Sequence, residues 1–159
     1  MITQSTHAGS ARPVAPSSRG RDVQAALRAK LRAAGLRPTR QRMALAALLF
    51  ADGDRHVTAE KLYAESKTAR PPISLATIYN ALNQFTDAGL LREIALQGSR
   101  SWYDTNTGPH YHFHIENEDD LLDIPAEMIG ALGLPPAPDG MEIISADLIV
   151  RVRRSTAAR

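Results

Sequence analysis

The spacing of apolar residues follows a helical period early in the chain and a strand period later. From Ser74 to Gly89 the large apolar side chains recur every three or four residues and form one stripe: Leu75, Ile78, Leu82 and Phe85. In His110–Glu116 histidines alternate with apolar residues, as in a strand with two different faces. A chain that changes period in this way predicts an α+β fold, with helices first and strands after them.

Four helices are predicted before residue 90, each bounded by a capping or helix-breaking residue. The expected start and stop residues are, in chain order, Asp22 and Gly35, Thr39 and Asp52, Thr58 and Pro71, and Ser74 and Gly89. On the third helix we expect Leu62 and Tyr63 to face inward. Short helices of this kind are stable only when they pack together, so this part of the chain predicts a small helical core.

A β-hairpin is predicted directly after the helices. The runs Leu90–Leu96 and Arg100–Asp104 flank the turn Gln97-Gly98-Ser99. Helices followed by a hairpin predict a winged helix-turn-helix domain, whose wing would present Gln97, Ser99 and Arg100 beside a phosphate backbone.

The outward face of the fourth helix carries small and hydrogen-bonding side chains: Ala76, Thr77, Asn80, Asn83, Gln84 and Asp87. A helix that enters a DNA major groove needs slim residues near its N-terminus and amide or hydroxyl groups for the base edges. DNA binding is therefore our interpretation of this face. Two alternatives stay open, namely a protein–protein module and a polar face that meets only solvent.

Charge divides the chain near the same point. Residues 1–104 contain 15 Lys and Arg and 8 Asp and Glu, whereas residues 105–150 contain 9 Asp and Glu and no Lys or Arg. Four further arginines lie in the last nine residues. The division indicates that the first part meets a polyanion and that the acidic, histidine-bearing part holds a cation.

The chain contains no cysteine, which excludes disulfides, thiolate zinc sites, iron–sulfur clusters and cysteine nucleophiles. The longest apolar run, Met43–Ala51, has nine residues and is too short to cross a bilayer. No apolar stretch of a secretory signal is present, so we expect a cytoplasmic protein without a membrane partner. Residues 1–21 are predicted to form a disordered tail, with a mitochondrial presequence as the alternative.

Three of the five histidines lie on one face of the predicted strand: His110, His112 and His114. The three side chains between and after them are apolar and are expected to pack into a core: Tyr111, Phe113 and Ile115. Imidazole and carboxylate ligands without thiolate suit Fe(II), Mn(II), Co(II) or Zn(II), and histidine also ligates haem. The alternative is a half-exposed strand whose histidines bind nothing.

The C-terminal part predicts a strand at Leu121–Ile124, a helix at Ala126–Leu132 and a last strand at Met141–Val152. Such a small number of elements buries little apolar surface by itself, and we therefore expect a homodimer. The predicted division is a tail (1–21), a winged-helix domain (22–104), a hinge (105–109), an α/β dimerisation and sensing domain (110–154) and a tail (155–159).

The run SLATIYNALNQFTDAGLL at residues 74–91, followed by the histidine-rich strand, resembles the ferric uptake regulator family. The resemblance extends from about Ala33 to Val152 and includes Gly35–Arg42 and His56–Tyr63. It implies a dimeric, metal-responsive repressor that binds a double-stranded DNA operator. The N-terminal winged helix would bind DNA, and the C-terminal α/β domain would form the dimer.

The same resemblance implies specific site residues. The expected DNA contact is Tyr79, with Ala76, Thr77 and Asn80 beside it and with Arg42 and Arg100 at phosphates. The expected metal ligands are His56, Asp104, His110, His112 and Asp123, the last in place of the family's usual glutamate. The metal would therefore lie between the two domains.

The chain also departs from the family pattern. Many members hold a structural zinc ion with two CxxC pairs, and Ile115 and Glu118 stand where the first pair would fall. We therefore expect that the chain has no structural zinc site built from four cysteines. We also expect that packing holds the dimer together. A cysteine-free member with a histidine-rich strand looks like the iron response regulator branch, which is linked to haem sensing. The haem-ligand candidates are His110, His112 and His114.

These observations predict a sequence-specific transcriptional regulator of iron and haem metabolism genes, and not an enzyme. Iron or manganese is the expected effector, with zinc and haem as alternatives. A peroxide-sensing repressor and a manganese- or zinc-responsive repressor of the same family are the nearest rivals. A histidine-metal hydrolase is a distant one, because no HExxH or other catalytic motif is present.

Overall fold

The computed structural model describes residues 18–68, 72–96, 100–129, 135–144 and 146–155. These residues form an α+β chain with two small sheets. The helices are α1 (Ser18–Ala33), α2 (Arg40–Phe50), α3 (Ala59–Ser66) and α4 (Leu75–Asp87), with a 3-10 helix at Ala126–Ile129. The strands are β1 (His56–Thr58), β2 (Arg92–Ile94), β3 (Trp102–Asp104), β4 (His110–Ile115), β5 (Asp120–Pro125) and β6 (Ile149–Val152). We call the described residues within 18–104 the N-terminal unit and those within 110–155 the C-terminal unit.

The helices of the N-terminal unit surround one apolar core. The predicted stripe of α4 is confirmed at Ile78, Leu82 and Phe85, which are fully buried. They meet buried side chains from the other helices and from β1: Leu31, Leu45, Leu49, Val57 and Leu62. Burying one such side chain contributes about 1.5–3 kcal/mol, so this core holds the helices in place.

Local capping sets the helix ends where the sequence predicts them. The hydroxyl groups of Thr39, Thr58 and Ser74 each accept a hydrogen bond from the backbone N–H three residues on. They satisfy N–H groups that have no partner inside their own helix. Gly35 and Gly89 follow α1 and α4 with φ of 74° and 71°, the left-handed conformation in which glycine commonly ends a helix.

Some predicted helix features differ from the structure. Helix α1 begins at Ser18, inside the stretch predicted as tail, while residues 1–17 and 156–159 lie outside the described residues. Tyr63 is 37% exposed, so the prediction that it faces inward is wrong. Its neighbour Leu62 is fully buried, and successive helical residues point about 100° apart, so the two cannot share one face.

The first sheet has the strand order β1-β3-β2, with both pairs antiparallel. The predicted pairing of β2 with β3 is confirmed, whereas Gln97 and Ser99 of the predicted wing lie outside the described residues. Strand β1 was not predicted. It places His56 directly opposite Asp104.

The second sheet has the order β5-β4-β6, with β4 antiparallel to β5 and parallel to β6. Strand β5 extends one residue beyond each end of its predicted range. Strand β6 begins at Ile149 rather than Met141, because the parallel ladder to β4 starts there. The predicted helix at 126–132 is a 3-10 helix that spans Ala126–Ile129, and residues 130–134 lie outside the described residues.

The two faces of β4 are oriented opposite to the prediction. His110, His112 and His114 are 5%, 1% and 9% exposed, whereas Tyr111 and Phe113 are half-buried. The expectation that the apolar residues of this strand form the core is therefore wrong for Tyr111 and Phe113. The histidine face turns toward the N-terminal unit, and that unit buries it.

Among the described helices, none combines the length and the apolar character that a membrane span requires.

Candidate metal centre

Five potential metal ligands converge where the two sheets meet. The ligands are His56 on β1, Asp104 on β3, His110 and His112 on β4, and Asp123 on β5, and one donor atom of each lies within 4.8 Å of all the others. Local strand geometry brings them together. His56 is paired with Asp104 in one sheet and His112 with Asp123 in the other, while His110 and His112 share one face of β4.

The Asp104 carboxylate lies at the centre of this group. Its Oδ2 atom is 2.7 Å from His110 Nε2, 3.2 Å from His112 Nε2 and 3.5 Å from His56 Nε2. Asp123 Oδ1 lies 2.9 Å from His56 Nε2. Asp104 is fully buried, while the Asp123 side chain is 39% exposed, so the cluster is open to solvent on the Asp123 side.

A short series of hydrogen bonds holds the connection between the two units. Asp104 Oδ1 accepts a hydrogen bond of 2.8 Å from the N–H of Asn106, and Asn106 Oδ1 accepts one of 3.0 Å from the N–H of Gly108. The carbonyl oxygen of Gly108 lies 2.8 Å from His110 Nδ1. Because a carbonyl oxygen only accepts, His110 Nδ1 carries the proton, and the Nε2 atom of neutral His110 presents a lone pair to the cluster.

The protonation of the cluster reflects competition between burial and neighbouring charges. Burial alone would raise the pKa of the Asp104 carboxyl. The imidazoles of His112 and His56 and the N–H of Asn106 outweigh burial and hold that pKa well below its usual range. Burial would likewise lower the pKa of His56, but the Asp104 and Asp123 carboxylates raise it above the usual histidine value. Asp104 is therefore an anion at neutral pH.

A divalent cation fits this arrangement. With its proton on Nδ1, His110 Nε2 directs a lone pair at an Asp104 oxygen 2.7 Å away, and His112 Nε2 lies 2.9 Å from the same nitrogen in this buried space. His56 Nε2 is buried and has no partner in hydrogen-bonding geometry among the described residues. A cation at the centre would attract all of these lone pairs. Three imidazole nitrogens and two carboxylate oxygens suit Fe(II), Mn(II), Co(II) or Zn(II).

The third histidine of β4 lies apart from this cluster. His114 Nε2 is buried without a hydrogen-bond partner among the described residues, and Asp119 Oδ1 is 3.8 Å away. The side chain lines a cavity of 160 Å³ together with Ala95, Leu96, Ile149 and Arg151. The structure therefore brings His110 and His112 together with the other predicted metal ligands and leaves His114 outside them.

The residues predicted to contact DNA lie on α4 or beside it. Ala76, Asn80 and Tyr79 are exposed, and the Tyr79 hydroxyl donates a hydrogen bond of 2.8 Å to Glu60 Oε1. Thr77 is half-buried in the first turn of α4. Arg100 Nη1 lies 3.7 Å from Glu60 Oε2, so one carboxylate contacts both Tyr79 and Arg100.

Arg42 makes internal contacts across two helices. Its guanidinium donates twice to Gln84 Oε1 on α4, at 3.1 and 2.7 Å, and once to the carbonyl oxygen of Arg37, at 2.9 Å. These bonds tie the start of α2 to the outward face of α4. Arg42 therefore supports α4 in this structure.

Sequence reasoning missed three residues that organise these sites: Glu60, Asn106 and Gly108. The spacing Asp104-x-Asn106-x-Gly108 carried a usable signal, because Asp and Asn side chains commonly accept from the N–H two residues on. Glu60 carried no such signal. It meets Tyr79 only because α3 packs on α4, which a one-dimensional pattern does not reveal.

Comparison with known proteins gives consistent results. The model described as the ferric uptake regulator family matches residues 33–150. The peroxide-responsive repressor PerR of Staphylococcus aureus strain Mu50 is 40% identical over 95 residues, which cover 60% of this chain and 64% of that protein. PerR of Staphylococcus epidermidis is also 40% identical over 95 residues, or 63% of its length. The chain thus spans slightly less than two thirds of these curated relatives.

Solved structures resemble about four fifths of this chain. The ferric uptake regulator of Pseudomonas aeruginosa, solved with manganese, is 28% identical with a TM-score of 0.62, and the match covers 79% of this chain and 96% of that chain. The ferric uptake regulator of Vibrio cholerae is 25% identical with a TM-score of 0.64, and the match covers 80% and 98% of the two chains.

Proposed function

The chain belongs to the ferric uptake regulator family, and on that premise we propose that it is a metal-responsive transcriptional regulator that binds DNA as a homodimer. The observation that carries this proposal is the convergence of five donor atoms within 4.8 Å at the meeting point of two sheets. Because the five ligands are divided between the two units, one ion that binds all of them would fix the orientation of one unit relative to the other. Iron(II) or manganese(II) is the proposed effector, and zinc(II) remains compatible with the ligands.

The proposed mechanism assigns each unit its own ligands. His56 and Asp104 would bind from the first sheet, and His110, His112 and Asp123 from the second. A metal ion supplies positive charge that all five ligands share. Because a ligand shifts a conformational equilibrium only through differential affinity, the ion would favour the orientation in which both ligand groups meet.

The DNA-binding role is proposed for α4. Exposed Ala76, Tyr79 and Asn80 lie on the side that we expect to enter a major groove, with Thr77 in the first turn. Arg42 and Arg100 are proposed to meet phosphates at the flanks, and each would then have to share or leave its present partner. We further propose that α2 to β3 form a winged helix, for which the pairing of β2 with β3 provides support.

Dimerisation is proposed for the C-terminal unit. Half-buried Tyr111 and Phe113 share the face of β4 that points away from the N-terminal unit, and Leu122 is 51% exposed on β5. Apolar side chains grouped in this way are typical of surfaces that a second chain covers.

Peroxide sensing is the second candidate function. The 40% identity to two staphylococcal peroxide-responsive repressors and the thiolate-free donor set favour it. Bound iron(II) would catalyse the net reaction in which hydrogen peroxide transfers one oxygen atom to a neighbouring imidazole and is itself reduced to water. Peptides that contain His56, His110 or His112 should gain one oxygen, about 16 mass units, after peroxide treatment of the iron(II)-loaded protein. Treatment of the manganese-loaded protein is the control, and equal oxidation in both would count against this function.

Assignment to the iron response regulator branch, with haem as effector, is a narrower proposal that the geometry supports less. His110 and His112 point their Nε2 atoms at Asp104, and His114 lines a cavity of only 160 Å³. Cavities that bind drug-sized ligands are typically about 300–1,000 Å³, so haem would require this region to open. A Soret shift that is lost when all three histidines are replaced by alanine would support haem binding. Its absence would remove haem from the proposal.

The experiment that tests the proposed function is a DNA-binding assay on the purified chain. A random duplex library is selected with Mn(II), and the recovered sequence is then tested with Fe(II), Mn(II), Zn(II), haem or a chelator added separately. A metal-responsive regulator should bind a defined sequence with an affinity that one effector changes. Recovery of no preferred sequence under any condition would contradict the proposal.

A further inference from the structure

A carboxylate contacts two of the residues proposed to bind DNA. Glu60 lies in the first turn of α3, and its Oε1 atom accepts a hydrogen bond of 2.8 Å from the Tyr79 hydroxyl on α4. Its Oε2 atom lies 3.7 Å from Arg100 Nη1, just before β3. We call these three residues the Glu60 cluster. It joins α3, α4 and the end of the predicted wing at one point on the surface.

The position of this acid is unusual for a surface that meets a polyanion. The side chains of Glu60 and Arg100 are 39% and 51% exposed, and Tyr79 is 37% exposed. Phosphate groups dominate the affinity of proteins for DNA, so an anion at the interface weakens general attraction. Phosphate contacts contribute little to the recognition of sequence, so a carboxylate at the interface is compatible with a role in sequence recognition.

The hydrogen bond to Glu60 determines what Tyr79 can offer to a base. A phenol has one proton to donate, and Tyr79 donates it to Glu60. The same hydrogen bond lowers the pKa of the Glu60 carboxyl, so this group is ionised at neutral pH and can only accept. Only the lone pairs of the Tyr79 oxygen remain for an outside partner. In the major groove, the groups that donate to such an oxygen are the amino groups of adenine and cytosine.

We propose that Glu60 is a positioning residue that determines base specificity through Tyr79. Because Glu60 accepts a hydrogen bond from the phenol, the Tyr79 oxygen can only accept a hydrogen bond from DNA. It would therefore select an adenine or cytosine amino group over thymine or guanine oxygens. This inference rests on the proposed DNA-binding function and specifies the chemistry of one of its contacts. Arg100 supports the same geometry, because its positive charge lies 3.7 Å from Oε2, which accepts no hydrogen bond among the described residues, while Oε1 faces Tyr79.

The test compares the sequences selected by the full chain and by two variants, all with Mn(II) bound. The original protein should prefer adenine or cytosine at the position that Tyr79 reads. Glu60→Ala frees the phenol proton, so preference at that one position should fall about 2- to 10-fold, the worth of one net hydrogen bond, while all other positions stay unchanged. Tyr79→Phe should remove the preference at the same position, which keeps the test decisive even if Glu60→Ala does not fold.

Glu65→Ala is the matched control. It removes a carboxylate from the same helix, and that carboxylate pairs with Arg55 rather than with α4. We expect its selected sequences to match those of the original protein. A purely structural role for Glu60 would weaken binding to all sequences equally and would overturn the inference, as would an unchanged preference in Glu60→Ala. If the original protein selects no sequence, the proposed function fails as well, so the two failures can be told apart.

Discussion

The five candidate metal ligands, which we call the metal cluster, and the Glu60 cluster lie at opposite ends of one strand pair, yet they are built differently. At one end of the β1–β3 ladder His56 faces Asp104, and at the other Thr58 faces Trp102. Glu60 comes two residues after Thr58, and Arg100 comes two residues before Trp102. A strand rises about 3.3 Å per residue, so the two clusters are separated by a short and regular piece of structure.

The difference between the two clusters lies in how their polar atoms are paired. In the metal cluster, the acceptor atoms of His110 and Asp104 face each other in a buried space, and His56 Nε2 has no partner in hydrogen-bonding geometry among the described residues. In the Glu60 cluster the Tyr79 hydroxyl donates to Oε1, and the Arg100 guanidinium lies 3.7 Å from Oε2, which accepts no hydrogen bond among the described residues. The first arrangement therefore gains stability from an added cation, whereas in the second the Glu60 carboxylate already has a donor on one oxygen and a positive charge near the other. This contrast is what we expect of a sensor site next to a readout site.

Removal of Asp104 should have the largest effect of all the substitutions, because it removes the central carboxylate of the metal cluster. Manganese(II) at 100 times its dissociation constant stabilises a folded protein by about 2.7 kcal/mol, and Asp104→Ala should abolish that gain. The reason is that Asp104 Oδ2 is the shared neighbour of three imidazoles. Thermal unfolding with and without Mn(II) measures this effect, with the exposed Asp139→Ala as control. Full manganese stabilisation of Asp104→Ala would show that the cluster is not the binding site.

Replacement of Tyr79 should affect the other region alone. Tyr79→Ala should lower affinity for the selected duplex by about 1–3 kcal/mol and leave the Mn(II) stabilisation unchanged. Tyr63→Ala is a matched control, because Tyr63 is equally exposed, at 37%, and lies on α3. Fluorescence anisotropy with labelled duplex measures the affinity. A similar loss in both variants would mean that general surface effects, and not the proposed contact, account for the result.

Thr58 lies between the two clusters and tests whether the connection is rigid. Its hydroxyl accepts from the Lys61 N–H and caps α3, so Thr58→Ala should lower the free energy of unfolding by about 1 kcal/mol. Urea denaturation measures the loss, and Thr68→Ala, an exposed threonine after α3, should cost much less. An equal cost for the two would indicate that the cap contributes nothing to the connection.

A second link between the units should contribute least. Lys61 Nζ lies 4.3 Å from the centre of the Trp102 ring and 3.7 Å from Asp120 Oδ1 on β5. Both contacts involve an exposed ammonium group, so Lys61→Met should cost less than about 1 kcal/mol in urea denaturation and leave Mn(II) stabilisation intact. If Lys61→Met lost its stabilisation by Mn(II), the Lys61 contacts, and not the metal ligands, would be what connects the two units.

The sequence predicted the helices well because their signals are local. Thr39, Thr58 and Ser74 cap the helices by bonds within three residues, and Gly89 ends α4 by its own backbone conformation. Strand β1 was missed because three residues are too few to display alternation. The burial of the β4 histidines was also missed, because the face that a strand buries depends on which layer covers it.

The metal cluster shows how far a resemblance extends. His56 and Asp104 are 48 positions apart in the sequence, and no spacing rule connects them. The family likeness nevertheless named both as ligands, and the structure brings them together with the other three. Their role as ligands remains a proposal until a metal is bound. The hydrogen bond between Glu60 and Tyr79 was not predictable in this way, since it depends on the packing of two helices.

The most direct test of the central claim measures DNA affinity with and without Mn(II) for the original protein and for His56→Ala. His56 is the ligand that β1 contributes, so its loss should separate the ion from the N-terminal unit. We expect Mn(II) to change the affinity of the original protein by about 5- to 150-fold, the usual range of coupling between sites, and to leave His56→Ala unaffected. An equal manganese response in both proteins, or none in either, would contradict the claim that metal at this cluster controls DNA binding.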